Sequence, residues 1–256
     1  MMKIYREVAK FPVFSIEDVS KISGNTKTAY SQLRSLIKKG LVRKIRSNAY
    51  SVVNPASGQI IANRYQIACS INEDAYISHH SAFEYYGFAN QVYYEVYVSS
   101  KSKFQTFEHD HLTYRYISSR MNEGVIEAKN IQNVRITDIE RTVIDSIHDL
   151  NKIGGLEELL KCIDAVYYLD DQKLKTYLDI YDIQGLYQKT GYILSRFVAD
   201  LKIPKEFFDY CKSKIGESRR YLVSSNKMNS FYDREWKLMI PKVLMAYGKH
   251  GGDELV

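Results

Sequence analysis

Three residues have the types and spacing of a metal-dependent nuclease site. Asp110 is followed by Glu127-Ala128-Lys129, an aspartate with a later Glu-x-Lys pair. In such sites two carboxylates hold Mg²⁺ and the lysine polarises the attacking water. However, Asp110 stands between two histidines in a segment typical of a loop. A Mg²⁺-dependent nuclease is therefore kept as an alternative function, and no catalytic residue is assigned.

The remaining metal and nucleophile patterns are weaker. The histidine pairs are His79-His80 and His109-x-His111, and no cysteine stands near either pair. Adjacent residues of a strand point to opposite faces, so His79 and His80 would not both bind one ion. No Ser, Cys or Lys nucleophile motif is recognisable. The sequence therefore predicts a protein that is not an enzyme and has no metal and no cofactor.

One polar set has the spacing expected of a helix that binds DNA. At about 100° per residue, one side of a helix over residues 26–39 is apolar and expected to be buried: Ala29, Leu33, Leu36 and Ile37. The other side has hydroxyl and cationic groups without a carboxylate: Lys27, Thr28, Ser31, Arg34, Ser35 and Lys38. A helix that meets only solvent usually mixes both signs of charge. We expect Lys27, Thr28, Ser31 and Arg34 in the major groove, with Arg34 bidentate to a guanine.

The surrounding elements predict a winged helix-turn-helix at residues 1–54. A first helix over residues 3–10 is followed by Pro12, which breaks it. Ser15 and Asp18 have the spacing of a capping box, and residues 23–25 form the turn before the third helix. Strand-like residues 41–45 and 49–53 flank a polar turn, which makes a basic hairpin. Phosphate contacts are expected from Lys38, Arg43, Lys44 and Arg46, and wing contacts from Arg46 and Ser47. A winged helix used only for protein contacts is the alternative.

Charge is distributed unevenly along the 256 residues. Residues 1–50 hold 11 Lys and Arg against three Asp and Glu, residues 51–200 are acidic, and residues 201–250 are basic again. A small basic module at one end of a chain suits a phosphate-binding surface. In the second basic stretch, Lys212, Lys214, Arg219 and Arg220 could contact DNA beside the operator core, or an acidic or RNA partner.

A second domain is expected after a cluster of turn-forming residues at 54–58. Residues 59–256 contain a helix at 60–70, a strand at 75–78 and a short helix at 81–86. Further strands are expected at 91–99, 112–117, 125–128 and 131–137, then helices from 138 to the basic C-terminal part. Strands followed by helices predict an α+β domain.

Composition favours a cytoplasmic protein. No window approaches about 18 consecutive apolar residues, so no membrane span is expected. The first residues lack the apolar core of a secretion signal. The three cysteines are widely spaced and odd in number, which argues against a disulfide framework and for a reducing compartment.

Two further motifs carry a family resemblance. Residues 78–87 read Ser-His-His-Ser-Ala-Phe-Glu-Tyr-Tyr-Gly, and residues 137–145 read Thr-Asp-Ile-Glu-Arg-Thr-Val-Ile-Asp. With the winged helix, the chain resembles the AbiEi antitoxins of bacterial abortive-infection (type IV) toxin–antitoxin systems. The resemblance covers most of the chain, with the last 60 residues matching only loosely. The stretch from Glu140 to Asp145 is its most specific element.

The resemblance implies a function with two parts. The N-terminal domain would bind inverted repeats in the promoter of its own operon and repress it. The second domain would counter a co-encoded nucleotidyltransferase toxin without a stable toxin–antitoxin complex. A ligand-responsive repressor, whose second domain binds a small molecule, is the remaining alternative.

Glu140, Arg141 and Asp145 allow two interpretations. They could form a surface used in antitoxicity, or they could be structural. Both acidic and basic groups in the first turns of a helix can cap or pair, and Arg141 and Asp145 are spaced i,i+4. The structural interpretation is favoured.

Overall fold

The structure is a computed structural model that describes residues 2–223 and 229–245. It divides into two compact units. Unit 1 comprises Met1–Ser81 and Tyr93–Ile136, and unit 2 comprises Ala82–Val92 and Thr137–Val256. Helices and sheets are mixed in the chain, which confirms the predicted α+β class. The expected domain boundary at residues 54–59 stays a prediction.

The first part of unit 1 is a winged helix-turn-helix. Its elements are α1 Met2–Val8, α2 Ile16–Ser23, α3 Thr26–Lys38, β1 Val42–Arg46 and β2 Ala49–Val52. The predicted capping box is present: the Ser15 hydroxyl accepts from the Asp18 N–H, and the Asp18 carboxylate accepts from the Ser15 N–H. Asn25 caps α3 in the same way, by accepting from the N–H of Thr28. The predicted start of both helices is thus explained by side-chain caps.

An apolar core holds the three helices on the hairpin. Val8, Val19, Leu33 and Leu36 are buried in this core together with other aliphatic residues. The expectation that Ile37 belongs to it is wrong, because its side chain is 40% exposed. Ile37 lies about 100° around the helix from Leu36, so it falls at the edge of the buried side.

The second part of unit 1 is a six-stranded mixed sheet behind a short helix, α4 Arg64–Cys69. Its strands are β3 Tyr76–Ile77, β4 Glu95–Ser100, β5 Phe107–His109, β6 Leu112–Ser118, β7 Val125–Glu127 and β8 Arg135–Thr137. They lie in the order β5-β6-β4-β3-β8-β7. β4 pairs with β6 in parallel and with β3 in antiparallel. The edge strand β5 was not expected from the sequence, and residues 91–94 of the expected strand 91–99 lie outside β4.

Unit 2 is mainly helical. Helix α5, His79–Tyr86, begins in unit 1 and continues into unit 2. The others are α6 Ile139–His148, α7 Leu156–Asp164, α8 Asp171–Tyr181, α9 Gln184–Leu194, α10 Val198–Leu201 and α11 Lys205–Ser213. Short 3₁₀ turns occur at Leu150–Lys152, Ser195–Phe197 and Lys242–Met245.

The last helix of the expected helical tail ends at Ser213, and for the described residues after it, 214–223 and 229–245, the prediction is wrong. A small sheet follows, with strands β9 Arg220–Tyr221, β10 Ser230–Asp233 and β11 Leu238–Pro241 in the order β10-β11-β9. Alternate residues Leu238 and Ile240 are buried, which is the period of a strand and not of a helix. The side-chain amide of Gln188 fixes this sheet on α9 by donating to the carbonyls of Ser218 and Trp236 at 3.2 and 3.1 Å.

Among the described residues, no helix combines the length and the apolar character needed to cross a bilayer.

Candidate nucleic-acid interface

Helix α3 exposes the polar residues that the sequence assigns to DNA contact. We call Lys27, Thr28, Ser31, Arg34 and Lys38 the basic face of α3, and all five are exposed. Within residues 2–223 and 229–245, no carboxylate lies within ion-pair distance of the three cations of this face. Ser35, expected on the same side, is half-buried. The basic face thus presents uncompensated positive charge beside two hydroxyl groups.

The carboxylates of the first 50 residues are all engaged on the other helices. Glu7 on α1 forms an ion pair with Lys10, which follows the end of the helix, with Oε2 and Nζ 2.7 Å apart. Asp18 is held in the capping box of α2. Glu17 accepts from the side-chain amide of Asn48 at 2.6 Å. Among residues 2–50, no acidic group is therefore positioned to neutralise α3, and uncompensated cations of this kind favour the binding of phosphates.

Asn48 fixes the hairpin turn against α2. It adopts a left-handed backbone conformation, with φ of 55°, at the tip of the wing. Its side-chain oxygen accepts from the N–H of Ile16 at 2.9 Å while its amide donates to Glu17. The hydrogen bond from Asn48 lowers the pKa of Glu17. A backbone bridge between Phe14 and Tyr50 adds a third contact, so wing and helices form one scaffold.

The basic residues of the wing differ in how free they are. Lys44 and Ser47 are exposed. Arg43 is also exposed, but its Nη2 donates to the carbonyl of Gly58 at 2.9 Å. Arg46 is half-buried, and its guanidinium carbon lies 5.1 Å from the centre of the Phe107 ring on β5. Of these residues, Lys44 and Ser47 are the ones most available for DNA, whereas Arg46 has a packing role.

Glu140, Arg141 and Asp145 are buried within unit 2. Nε of Arg141 donates to Oδ1 of Asp145 at 2.6 Å, and Oε1 of Glu140 accepts from the N–H of Asp170 at 3.0 Å. The exposed fraction is 4% for Glu140 and 2% for the other two. Buried charges of this kind are costly unless they are paired. The structural interpretation fits these contacts, and an exposed surface formed by these side chains does not.

The structure adds three residues that sequence reasoning missed. Oδ2 of Asp138 accepts from the Tyr177 hydroxyl at 2.7 Å and from Nζ of Lys173 at 3.1 Å. Burial alone would lower the pKa of Lys173, but the hydrogen bond to Asp138 and the nearby Glu140 raise it. Burial and the hydrogen bond from its own hydroxyl to Asp138 raise the pKa of Tyr177. Asp138 also caps α6, and that N-cap signal in the sequence was the one sign of its role.

In the described part of the second basic stretch, three of the four cations expected to contact a partner have side-chain contacts within the chain. Lys212 forms an ion pair with Glu235, and Nζ of Lys214 lies 3.7 Å from Oδ1 of Asp179. The guanidinium of Arg219 lies over the Tyr232 ring, 4.8 Å from its centre. Arg220 is exposed on β9. Residues 224–228 and 246–250 of this stretch lie outside the described residues.

The carboxylates of the nuclease pattern are far apart. Asp110 occupies the turn between β5 and β6, and Glu127 ends β7 at the opposite edge of the sheet. Four strand spacings, about 19 Å, separate β6 from β7. Carboxylate oxygens bind Mg²⁺ at about 2 Å, so this pair cannot share one ion. Within residues 2–223 and 229–245, no group of three or more His, Cys, Asp or Glu residues could hold a metal ion.

Comparison with known proteins identifies a solved structure of similar fold. No family model matches the chain, and no curated protein matches it either. The crystal structure of the RV2827C protein from Mycobacterium tuberculosis superposes with a TM-score of 0.64 over 97% of this chain and 94% of that chain. The two sequences are 13% identical. At this identity the similarity shows that the two chains share a fold.

Proposed function

We propose that this protein is a DNA-binding antitoxin that represses its own toxin–antitoxin operon in the cytoplasm. Its winged helix binds inverted repeats of operator DNA in the promoter. Its second part counteracts a co-encoded nucleotidyltransferase toxin without forming a stable complex with it. No metal or cofactor takes part in this function.

One observation carries the DNA-binding half of the proposal. The basic face of α3 is exposed and uncompensated, while Glu7, Glu17 and Asp18 are engaged on α1 and α2. A helix with this position in a winged helix lies in the major groove, where arginine binds guanine O6 and N7. Lys38, exposed at the end of α3, and Lys44, exposed on β1, are the phosphate-binding residues of this proposal.

The antitoxin half rests on the sequence motifs at residues 78–87 and 137–145. In unit 2, Asp138 and Asp145 of the second motif accept from the hydroxyls of Tyr177 and Tyr181 on α8, and Asp145 also pairs with Arg141 within α6. In this proposal the motif maintains the scaffold of the antitoxin region and does not touch the toxin itself. The surface that counters the toxin must then be formed by exposed residues of that scaffold.

A binding titration tests the DNA-binding half. The full chain is titrated with its own upstream DNA and with a scrambled duplex of equal length, at two salt concentrations. A preference of about 10³ or more for the upstream DNA is expected. Weak binding that is blind to sequence and disappears with added salt would overturn the repressor function, since electrostatic attraction alone behaves in that way.

A growth assay tests the antitoxin half independently. The nucleotidyltransferase gene encoded beside this chain is expressed with wild-type protein or with Arg34→Ala, and a promoter reporter is measured in the same cells. Wild type is expected to restore growth and to repress the reporter. Arg34→Ala should restore growth but lose repression, because Arg34 is exposed on α3 and forms no hydrogen bond or ion pair with another described residue. Failure of the wild type to restore growth would reject the antitoxin half.

A further inference from the structure

Two exposed apolar side chains accompany the basic face of α3. Tyr30 is 57% exposed and Ile37 is 40% exposed. Seven residues make almost two full turns, so the two side chains lie within about 20° of each other around the helix axis. We call this pair the Tyr30–Ile37 strip. It forms an apolar margin on a helix that is otherwise polar on its exposed side.

Arg34 lies between the two members of the strip along the helix axis. It is four residues after Tyr30 and three before Ile37, and residues at these spacings are neighbours on a helix surface. Tyr30 and Ile37 are separated by about 10.5 Å along the axis, at about 1.5 Å per residue. Successive base pairs are about 3.4 Å apart along the duplex, so the strip spans at most about three base pairs. The groups it meets must therefore flank the base that Arg34 contacts.

The charge around the strip defines its occupant. Lys27, Arg34 and Lys38 are exposed on the same helix and unpaired among the described residues. An occupant must therefore be anionic and must also offer apolar groups. A second copy of this helix would bring like charges together across a symmetric interface, which is unfavourable. In the major groove of DNA, the apolar group on the base edges is the C5-methyl of thymine.

We propose that Tyr30 and Ile37 contact the C5-methyl groups of thymines that flank the guanine bound by Arg34. This inference rests on the proposed function, in which α3 binds operator DNA. In this inference α3 recognises two kinds of group on the base edges, the hydrogen-bond acceptors of guanine and the methyl group of thymine. The guanidinium selects guanine, and the apolar strip selects thymine over cytosine within about three base pairs of it.

Uracil substitution tests the inference because uracil is thymine without the methyl group. Each thymine of the bound half-site is replaced in turn by deoxyuridine, and the full chain is titrated with each duplex. One or two positions should lose affinity by about fourfold each, the loss expected for one buried methyl group. The other thymines should tolerate the change.

Substitutions on the protein assign the effect to residues. The Ile37→Ala variant should bind the thymine and uracil duplexes equally at one of the sensitive positions. The Tyr30→Ser variant should do so at the other sensitive position. Ile61→Ala is the matched control, because Ile61 is 41% exposed and lies outside α3. It should retain the full difference between thymine and uracil. All three side chains are exposed, so the variants are expected to fold.

The outcomes separate this inference from the proposed function. Full discrimination against the scrambled duplex, with no position sensitive to uracil, would overturn the inference and leave the DNA-binding function intact. A uracil effect that persists in both α3 variants would also overturn it. Loss of self-association in these variants, measured by sedimentation, would assign the strip to a contact between copies instead. Absence of any preference for the upstream DNA would reject the proposed function and the inference with it.

Discussion

The guanidinium of Arg141 and the carboxylate of Asp145 form a buried ion pair one turn apart on α6. Nε and Oδ1 are 2.6 Å apart, and each side chain is 2% exposed. The same Oδ1 accepts from the hydroxyl of Tyr181 on α8, also at 2.6 Å. Asp145 therefore balances a buried charge and joins two helices of unit 2, so its removal affects both.

Replacement of Asp145 by alanine should strongly destabilise unit 2. The variant leaves the Arg141 guanidinium buried without its carboxylate, and breaking a buried pair in this way costs about 3–5 kcal/mol. Urea unfolding followed by the fluorescence of Trp236, the one tryptophan of the chain and a residue of unit 2, measures the loss. Lys161→Gln is the control. It breaks an exposed i,i+4 pair with Glu157, which is expected to contribute less than about 1 kcal/mol. Equal effects in the two variants would contradict a special role for the buried pair.

Two glycines of α9 should respond to the same substitution with opposite signs. A Cβ on Gly191 would lie 2.0 Å from the Trp236 ring, whereas a Cβ on Gly185 would approach only the Arg220 side chain, at 3.9 Å. Gly191→Ala must displace the buried Trp236, and overpacking of this kind costs about 1–3 kcal/mol. Gly185→Ala should stabilise the helix by about 0.5–1 kcal/mol through its higher helix propensity.

Thermal unfolding together with the Trp236 emission maximum measures both effects. Gly191→Ala should lower the melting temperature and shift the emission towards that of an exposed indole. Gly185→Ala should raise the melting temperature and leave the emission unchanged. A stabilising Gly191→Ala would show that Trp236 does not pack on α9 in solution.

Local signals in the sequence explain which parts of the fold were predictable. The capping box at Ser15 and Asp18 and the cap at Asn25 depend on contacts three residues apart, so the starts of α2 and α3 follow directly from the pattern. The apolar period identified Leu33 and Leu36 as core residues. Ile37 was misjudged because it lies at the margin of the buried side, where helix geometry alone does not decide exposure.

Contacts between distant residues explain what the sequence left out. Arg46 is half-buried because Phe107, 61 positions later on β5, lies beneath its guanidinium. The C-terminal sheet depends on Gln188, whose amide serves carbonyls 30 and 48 positions away. The candidate DNA face, in contrast, lies on a single helix. The sequence alone therefore reveals the spacing of this face and shows that its cations stand without a carboxylate among them.

The buried Glu158 should make unit 2 sensitive to acid. Burial alone would raise the pKa of this carboxyl group, but the N–H groups of Gln91 and Asn90, both at 2.9 Å, lower it below its ordinary value. A group with a lowered pKa in the folded state stabilises that state above its ordinary pKa. The contribution is lost as pH falls from that ordinary value through the lower value of the folded protein.

The variants Glu158→Gln and Glu157→Gln test this pH dependence. Glu158→Gln removes the negative charge of the carboxylate that accepts the two backbone hydrogen bonds. The free energy of unfolding should fall by about 1.5–3 kcal/mol at about pH 7, with a smaller difference from wild type at about pH 3. Glu157 is the adjacent, exposed residue on α7, and its variant should follow the wild-type profile. Unfolding free energies from urea titrations across this pH range provide the measurement. A constant difference between Glu158→Gln and wild type would rule out linkage to this carboxylate.

Arg34 and Lys44 should affect DNA binding in different ways. Arg34 is central on the basic face of α3, and the bidentate contact to guanine proposed for it would contribute about 1–3 kcal/mol of discrimination against other bases. Arg34→Ala should therefore weaken binding to the upstream DNA far more than binding to a scrambled duplex. Lys44 is exposed on the wing, where the proposed function expects it to contact phosphates. Lys44→Ala should weaken binding to both duplexes about equally and reduce the slope of log K against log salt by about one.

Titrations of both variants with both duplexes over a salt series measure these effects, with Arg43→Ala as a further wing variant. If Arg34→Ala weakens binding to both duplexes equally, as Lys44→Ala is expected to do, then α3 does not contact the bases and binds only the DNA backbone.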